Sequence, residues 1–301
     1  VLGPVDSILD DFRLLQFQLS KFRLGAEYTS YFRDVLYSTT IAHLDALYQK
    51  LIGPIRHLLI GTHLVIVPHG FLHYVPFHAL RDGERFLIDD FAVSYAPSAS
   101  VYQLCVTKPS TETRGGLVIG VPDERAPSID QEARRVAAAI PGAILSVGTE
   151  GQDIVLRQEG PQSRFIHIAA HGLFREDNPL FSSVVLGDSR LSLFDLYDLQ
   201  LSAELVTLSG CGTGLNVVVG GDELIGLVRG LLYAGAKAVL VSLWDVHDES
   251  TATLMETFYQ AMPTATDKAQ ALRLAMLQLR ETHPHPYFWA PFCLTGKFQN
   301  G

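Results

Sequence analysis

Cysteine is scarce in this chain: Cys105, Cys211 and Cys293 stand far apart in 301 positions and form no Cys-x-x-Cys pair. That excludes a disulfide framework and argues against a structural zinc site, and it fits a reducing cytoplasm. Long apolar runs are lacking too. No stretch reaches the roughly 20 residues needed to span a bilayer, and the N-terminus has no signal-peptide pattern, so no membrane partner is expected. Basic residues are outnumbered, 23 Lys and Arg against 32 Asp and Glu, and the formal net charge is -9. Without a long basic run, direct nucleic-acid binding is not expected; basic partners or substrates fit the charge, and so does a plain solvated acidic surface. There is no internal repeat and no low-complexity segment. The chain starts at Val1 instead of Met, as an excised domain or a processed product would.

What is present is core material. Hydrophobic residues make up 48% and charged residues 18%, enough for one large globular domain or two modest ones. Helical patterning opens the chain, first around Ile8, Phe12, Leu15, Leu19 and Phe22, then over about 26–59 with a break at Gly53-Pro54. The run 64–67 has the pattern of a buried strand ended by Pro68, and 91–97 that of another. The polar stretch 108–113 is the linker candidate. Beyond it, short apolar strands (117–120, 143–145, 165–169, 204–208, 238–243) alternate with helices (130–139, 222–234, 249–261, 267–280). Such strands, buried on both faces, predict an α/β fold with a mostly parallel sheet flanked by helices.

In such a sheet, sites form beyond the carboxyl ends of the strands. Two strands here end in a reactive residue beside glycine: His167-Ile168-Ala169-Ala170-His171-Gly172 and Leu208-Ser209-Gly210-Cys211-Gly212-Thr213-Gly214. If the strands are neighbours, His171 and Cys211, 40 positions apart, emerge side by side. A free thiol near pKa ~8.5 is only a few per cent thiolate at neutral pH, so a nearby imidazole must take its proton. Attack on a peptide carbonyl makes an oxyanion, for which the backbone N–H groups of Gly172 and Cys211 are the natural donors. Taken singly, a Cys after a strand is usually a small buried hydrophobe and a His-Gly pair a turn; the two together carry the catalytic reading. His167, inside the strand pattern, reads as a core residue, and Cys105 and Cys293 as structural. No cofactor or metal is expected, because the His-Pro-His-Pro run at 283–286 lies in a turn and not on a ligand helix.

The segments HIAAHG (167–172), LVTLSGCGTG (205–214), GDELIGLVRGLLYAGAKAVLVSLWDVHDEST (221–251) and HPYFWAPFCLTG (285–296) resemble the CHAT domain. This is a family of bacterial caspase- and separase-like cysteine peptidases, often fused to tetratricopeptide repeats. The stretches 67–80 and 94–98 look like its N-terminal signature. The resemblance implies a caspase–hemoglobinase fold, with N-terminal helices and a catalytically silent caspase-like half in 1–113 and the catalytic half in 114–301. It puts the family's catalytic pair on His171 and Cys211. It implies a cysteine endopeptidase acting on a protein substrate, in a bacterial defence or signalling setting, with a tetratricopeptide-repeat region or activator upstream. Glycine-rich loops that order on activation belong to the same analogy.

The segment Trp244-Asp245-Val246-His247-Asp248 resembles the part of separases where an acidic residue receives a basic side chain. Asp245 or Asp248 is thus a substrate-binding candidate, although Asp248 would equally serve as the cap of the helix starting near Glu249. Asp222 and Glu223 read first as helix N-terminal charges and second as loop-ordering or substrate contacts. Trp244, Trp289 and Phe292 read as core, Trp244 also as a pocket wall. The competing readings are a proteolytically silent CHAT-type scaffold or interaction module, and ligation or transamidation on the same pair.

Overall fold

An eight-stranded sheet organises the chain. The computed structural model describes residues 4–109, 113–124, 126–173, 182–210 and 223–300. Helices α1 (Val5–Ser20), α2 (Ala26–Tyr31) and α3 (Arg33–Leu51) come first, then β1 (His63–Ile66), α4 (Leu87–Asp90), β2 (Ala92–Tyr95) and α5 (Ala99–Thr107). The alternating part follows: β3 (Arg114–Gly120), α6 (Ser128–Ala139), β4 (Ala143–Val147), α7 (Gln152–Glu159) and β5 (Ser163–Ala169). A small antiparallel sheet, β6 (Gly172–Leu173), β7 (Ser183–Val185) and β8 (Arg190–Ser192), leads into α8 (Leu193–Asp198). The rest is β9 (Leu205–Leu208), α9 (Glu223–Ala234), β10 (Ala238–Ser242), α10 (Asp248–Ala261), α11 (Lys268–Thr282), α12 (Pro286–Trp289) and β11 (Phe292–Gly296).

The main sheet has the order β1-β2-β11-β10-β9-β5-β3-β4. Every neighbouring pair is parallel except β10 and β11. That single antiparallel joint reverses direction, so β1, β2 and β11 point one way and the other five strands the opposite way. The mostly parallel α/β sheet expected from the sequence is therefore present, and β11, close to the C-terminus, joins the N-terminal strands to the rest.

Local chemistry sets the elements. The Ser98 hydroxyl accepts the Val101 N–H and starts α5, and Asp267 caps α11 through the Gln270 N–H. On α6, Asp130 pairs with Arg134 one turn on, as the helix dipole and i,i+4 spacing favour. Strand side chains alternate between faces. His167 on β5 and Thr207 on β9 point to α6 and α10, where they meet Glu132 and Tyr259. The alternate residues Ile166, Ile168, Val206 and Leu208 are buried on the other face.

One strand departs from expectation. The run 64–67 reads as buried, but β1 is the sheet's edge, with Val65 and Val67 exposed; an apolar run alone does not distinguish an edge from a centre. The signature stretch 67–80 contains two 3-10 turns, and the buried His78 ties it to β2 and to the segment just before β11. Its Nε2–H donates to the Ala290 carbonyl (3.0 Å), and Nδ1 meets the Tyr95 hydroxyl (3.1 Å). Burial lowers the His78 pKa to about 4, so the ring is neutral.

Candidate active site

Strands β5 and β9 lie side by side and parallel, paired from Phe165–Leu205 through Ile168–Leu208 with partners always 40 positions apart. The Ser209 N–H extends the ladder by donating to the Ile168 carbonyl (3.1 Å). At Gly210 the chain runs against Ala170 so closely that a Cβ would stand 2.7 Å from its carbonyl oxygen, leaving room only for glycine. The expected nucleophile Cys211, with its oxyanion N–H, and the candidate Asp222 lie outside the described residues. Glu223 is the first residue of α9.

His171 follows β5 at the sheet's carboxyl rim. Its carbonyl accepts the Val185 N–H (2.8 Å), and Gly172, the other expected oxyanion donor, pairs with Val184 across β6 and β7. The backbone at this point is held by the small sheet, which nothing in the sequence pattern announced. The ring's Nε2 lies 3.1 Å from Asp123 Oδ1. Asp123 sits on the turn after β3, where the same oxygen accepts the Ala126 N–H (3.0 Å). The Val121 N–H bonds the Ala169 carbonyl, so the β3–β5 pairing itself carries Asp123 to His171. Asp123 engages Nε2, and Nδ1 is the ring's other nitrogen. Asp123 carries no signal in the sequence, because 48 positions separate it from His171 and no motif surrounds it.

The two acidic candidates, Asp245 and Asp248, lie between the end of β10 and the first turn of α10. Burial raises the carboxyl pKa of both Asp245 and Asp248; Arg23 opposes it at Asp245, and the His171 imidazole opposes it more weakly at both. Asp245 Oδ2 lies 2.6 Å from Arg23 Nε. Asp248 feels the like charge of Glu132, and the nearby Ser128 backbone N–H offsets part of it. It does not cap α10: that role belongs to the preceding His247, whose extended backbone suits an N-cap and whose Nδ1 accepts the Ser250 N–H (3.4 Å). Asp248 is instead the first helical residue. Trp244 is buried with Nε1–H donating to the Tyr287 carbonyl (3.0 Å), and Trp289 and Phe292 are fully buried.

The other sulfur and imidazole groups are in the core. Burial pushes the Cys293 thiol up to about 12 and also raises Cys105. His167 is fully buried, with Nε2 2.9 Å from Glu132 Oε1 and 3.3 Å from Ser209 Oγ. Among the described residues no three His, Cys, Asp or Glu side chains gather as a metal site, and no helix is long and apolar enough to cross a membrane.

This sheet, with its histidine at the carboxyl rim, has the caspase–hemoglobinase fold. The separase of the Saccharomyces cerevisiae separase–securin complex superposes with a TM-score of 0.57 at 15% identity, covering 94% of this chain and 20% of that one. The Arg-specific cysteine proteinase gingipain R gives 0.53 at 10% identity, covering 87% and 67%. At these identities the likeness is one of fold. Residues 42–297 match the CHAT domain family, and the chain belongs to it. Tetratricopeptide repeat protein 28 of Mus musculus is 28% identical over 84% of this chain, and its Homo sapiens counterpart 27% over the same share. The chain spans about 13% of the length of these relatives.

Proposed function

We propose that the chain is a cysteine endopeptidase that cleaves a protein partner through Cys211 and His171. The observation that carries this is the register of β5 and β9. Its constant offset of 40 equals the separation of His171 and Cys211, and the chain after β9 closes on Ala170 at Gly210, each one residue short of the pair. In this reading His171 Nδ1 takes the thiol proton, Sγ attacks the scissile carbonyl, and the N–H groups of Gly172 and Cys211 hold the oxyanion. The imidazolium then protonates the leaving amine, and water releases the acyl group from sulfur. Asp123 positions the ring through Nε2, the part that the carboxylate of a Ser-His-Asp triad plays through Nδ1, with the two ring nitrogens exchanged.

A basic side chain on the acyl side of the cleaved bond suits the carboxylate of Asp245 or Asp248, with Asp222 and Glu223 as secondary candidates. A guanidinium would meet a carboxylate with charge-assisted bonds. Gingipain R is named for its Arg specificity, which supports the same class of substrate. The catalytic half is 114–301, and 1–113 serves as its silent support. The relatives' names make a tetratricopeptide-repeat region the natural recruiter of the partner.

An arginyl acyloxymethyl ketone tests this. It should label Cys211 in the wild-type chain, and peptides ending in Arg or Lys should accumulate from a peptide library. No label on Cys211, or cleavage that persists in Cys211→Ala, would remove the assignment.

A further inference from the structure

The carboxylate assigned above to a basic substrate side chain already holds an arginine from the chain's own N-terminal arm. Arg23 sits on the 3-10 turn Lys21–Leu24 that follows α1, and its Nε is 2.6 Å from Asp245 Oδ2. The two meet in a cleft between α1 and the end of β10, walled by Leu19, Tyr74, Trp244 and Tyr287. The arm is seated and not draped. Phe22 stacks on Tyr287 at 4.0 Å and 11° between planes, with its edge contact to Phe288 at 5.5 Å, and Phe12 and Leu15 of α1 are buried. Asp245 Oδ1 is buried with no partner among the described residues. A half-buried carboxylate with one oxygen unsatisfied costs free energy unless a cation covers it, and a forked guanidinium arriving end-on would satisfy both oxygens.

We propose that Arg23 is a tethered competitor: it fills the Asp245 seat in cis, and an arginine side chain can bind there only when the α1 arm gives up that contact. The inference rests on Asp245 as the seat for a basic side chain. It adds that the seat is closed in the resting fold and that the arm sets the affinity for arginyl ligands.

The measurement is benzamidine affinity, by calorimetry on the 301-residue chain, for wild type, Arg23→Ala and Arg23→Gln. Benzamidine presents an amidinium without needing the catalytic pair. Arg23→Gln keeps most of the stem packing, so a folding defect in Arg23→Ala would not leave the question without an answer. Both variants should bind about fivefold more tightly, the amount that losing a partly exposed ion pair releases. Adding Asp245→Asn should abolish the gain. Equal affinity in wild type and variants, binding by none of them, or a gain that survives Asp245→Asn overturns the proposal. An arginyl ketone that labels Cys211 in none of these proteins, while the benzamidine difference persists, would remove the peptidase reading and leave the competitor in place.

Discussion

Two histidines four residues apart, one inside β5 and one just past its end, have opposite surroundings. His167 is 0% exposed and pairs with Glu132, itself 4% exposed; His171 is 33% exposed and pairs with Asp123 at 46%. The hydrogen-bond lengths are nearly equal, 2.9 and 3.1 Å, so distance does not separate them. Burial does. In the core, an acid–histidine pair is a commitment: once desolvated, neither member tolerates loss of the other. At the rim, water can replace either partner, and the pair is worth little to the fold but leaves the ring accessible to chemistry. The strand makes this division by leaving the sheet between the two positions.

The contrast can be broken most severely at the rim. His171→Ala should lower the rate of arginyl ketone labelling and peptide cleavage by about 10³-fold or more, because nucleophile and base act as a unit. Its unfolding free energy should change by less than about 1 kcal/mol, read by urea denaturation. His167→Ala should do the reverse: a loss of about 3–5 kcal/mol of stability, since Glu132 is left buried and unpaired, with whatever protein remains folded still reactive.

Acid sharpens the difference between interior and rim. His78 and His285 have folded pKa values lowered by burial from 6.5 to about 4. Between those limits the unfolded chain binds more protons than the folded one, so stability should fall as pH drops from about 6.5 to about 4. For His78 the loss is on the order of 3 kcal/mol, by the ~1.4 kcal/mol per pKa unit rule, and urea midpoints across that window measure it. A flat profile would contradict the neutral buried ring. The smallest effect belongs to Asp123→Asn, which should cost about tenfold in kcat/KM and shift the pH–rate profile, with stability nearly unchanged.

Much of this was legible in the sequence where a signal is local. The strands β3, β5, β9 and β10 show as short apolar runs because both faces of a parallel sheet are covered. The burial of His167, Cys105 and Cys293 follows from the apolar neighbours each carries. What was not legible depends on register or distance. β6, β7 and β8 have two or three residues each, too few to show a period. β1 has the composition of a central strand and the position of an edge. Asp123 reaches His171 through the β3–β5 pairing, and Arg23 reaches Asp245 through the packing of α1. No spacing rule encodes either contact. His247 takes the cap that Asp248 was expected to supply because the helix begins one residue earlier than its apolar pattern.

Peptidase chemistry here depends on an imidazole within reach of a thiol. The pH dependence of Cys211 alkylation by iodoacetamide, followed by peptide mass spectrometry in wild type and His171→Ala, measures that directly, with buried Cys105 and Cys293 as internal controls. The Cys211 profile should lie at least about one pH unit below the ~8.5 of a free thiol and return to that value in the variant. Superimposable profiles in the two proteins would contradict it.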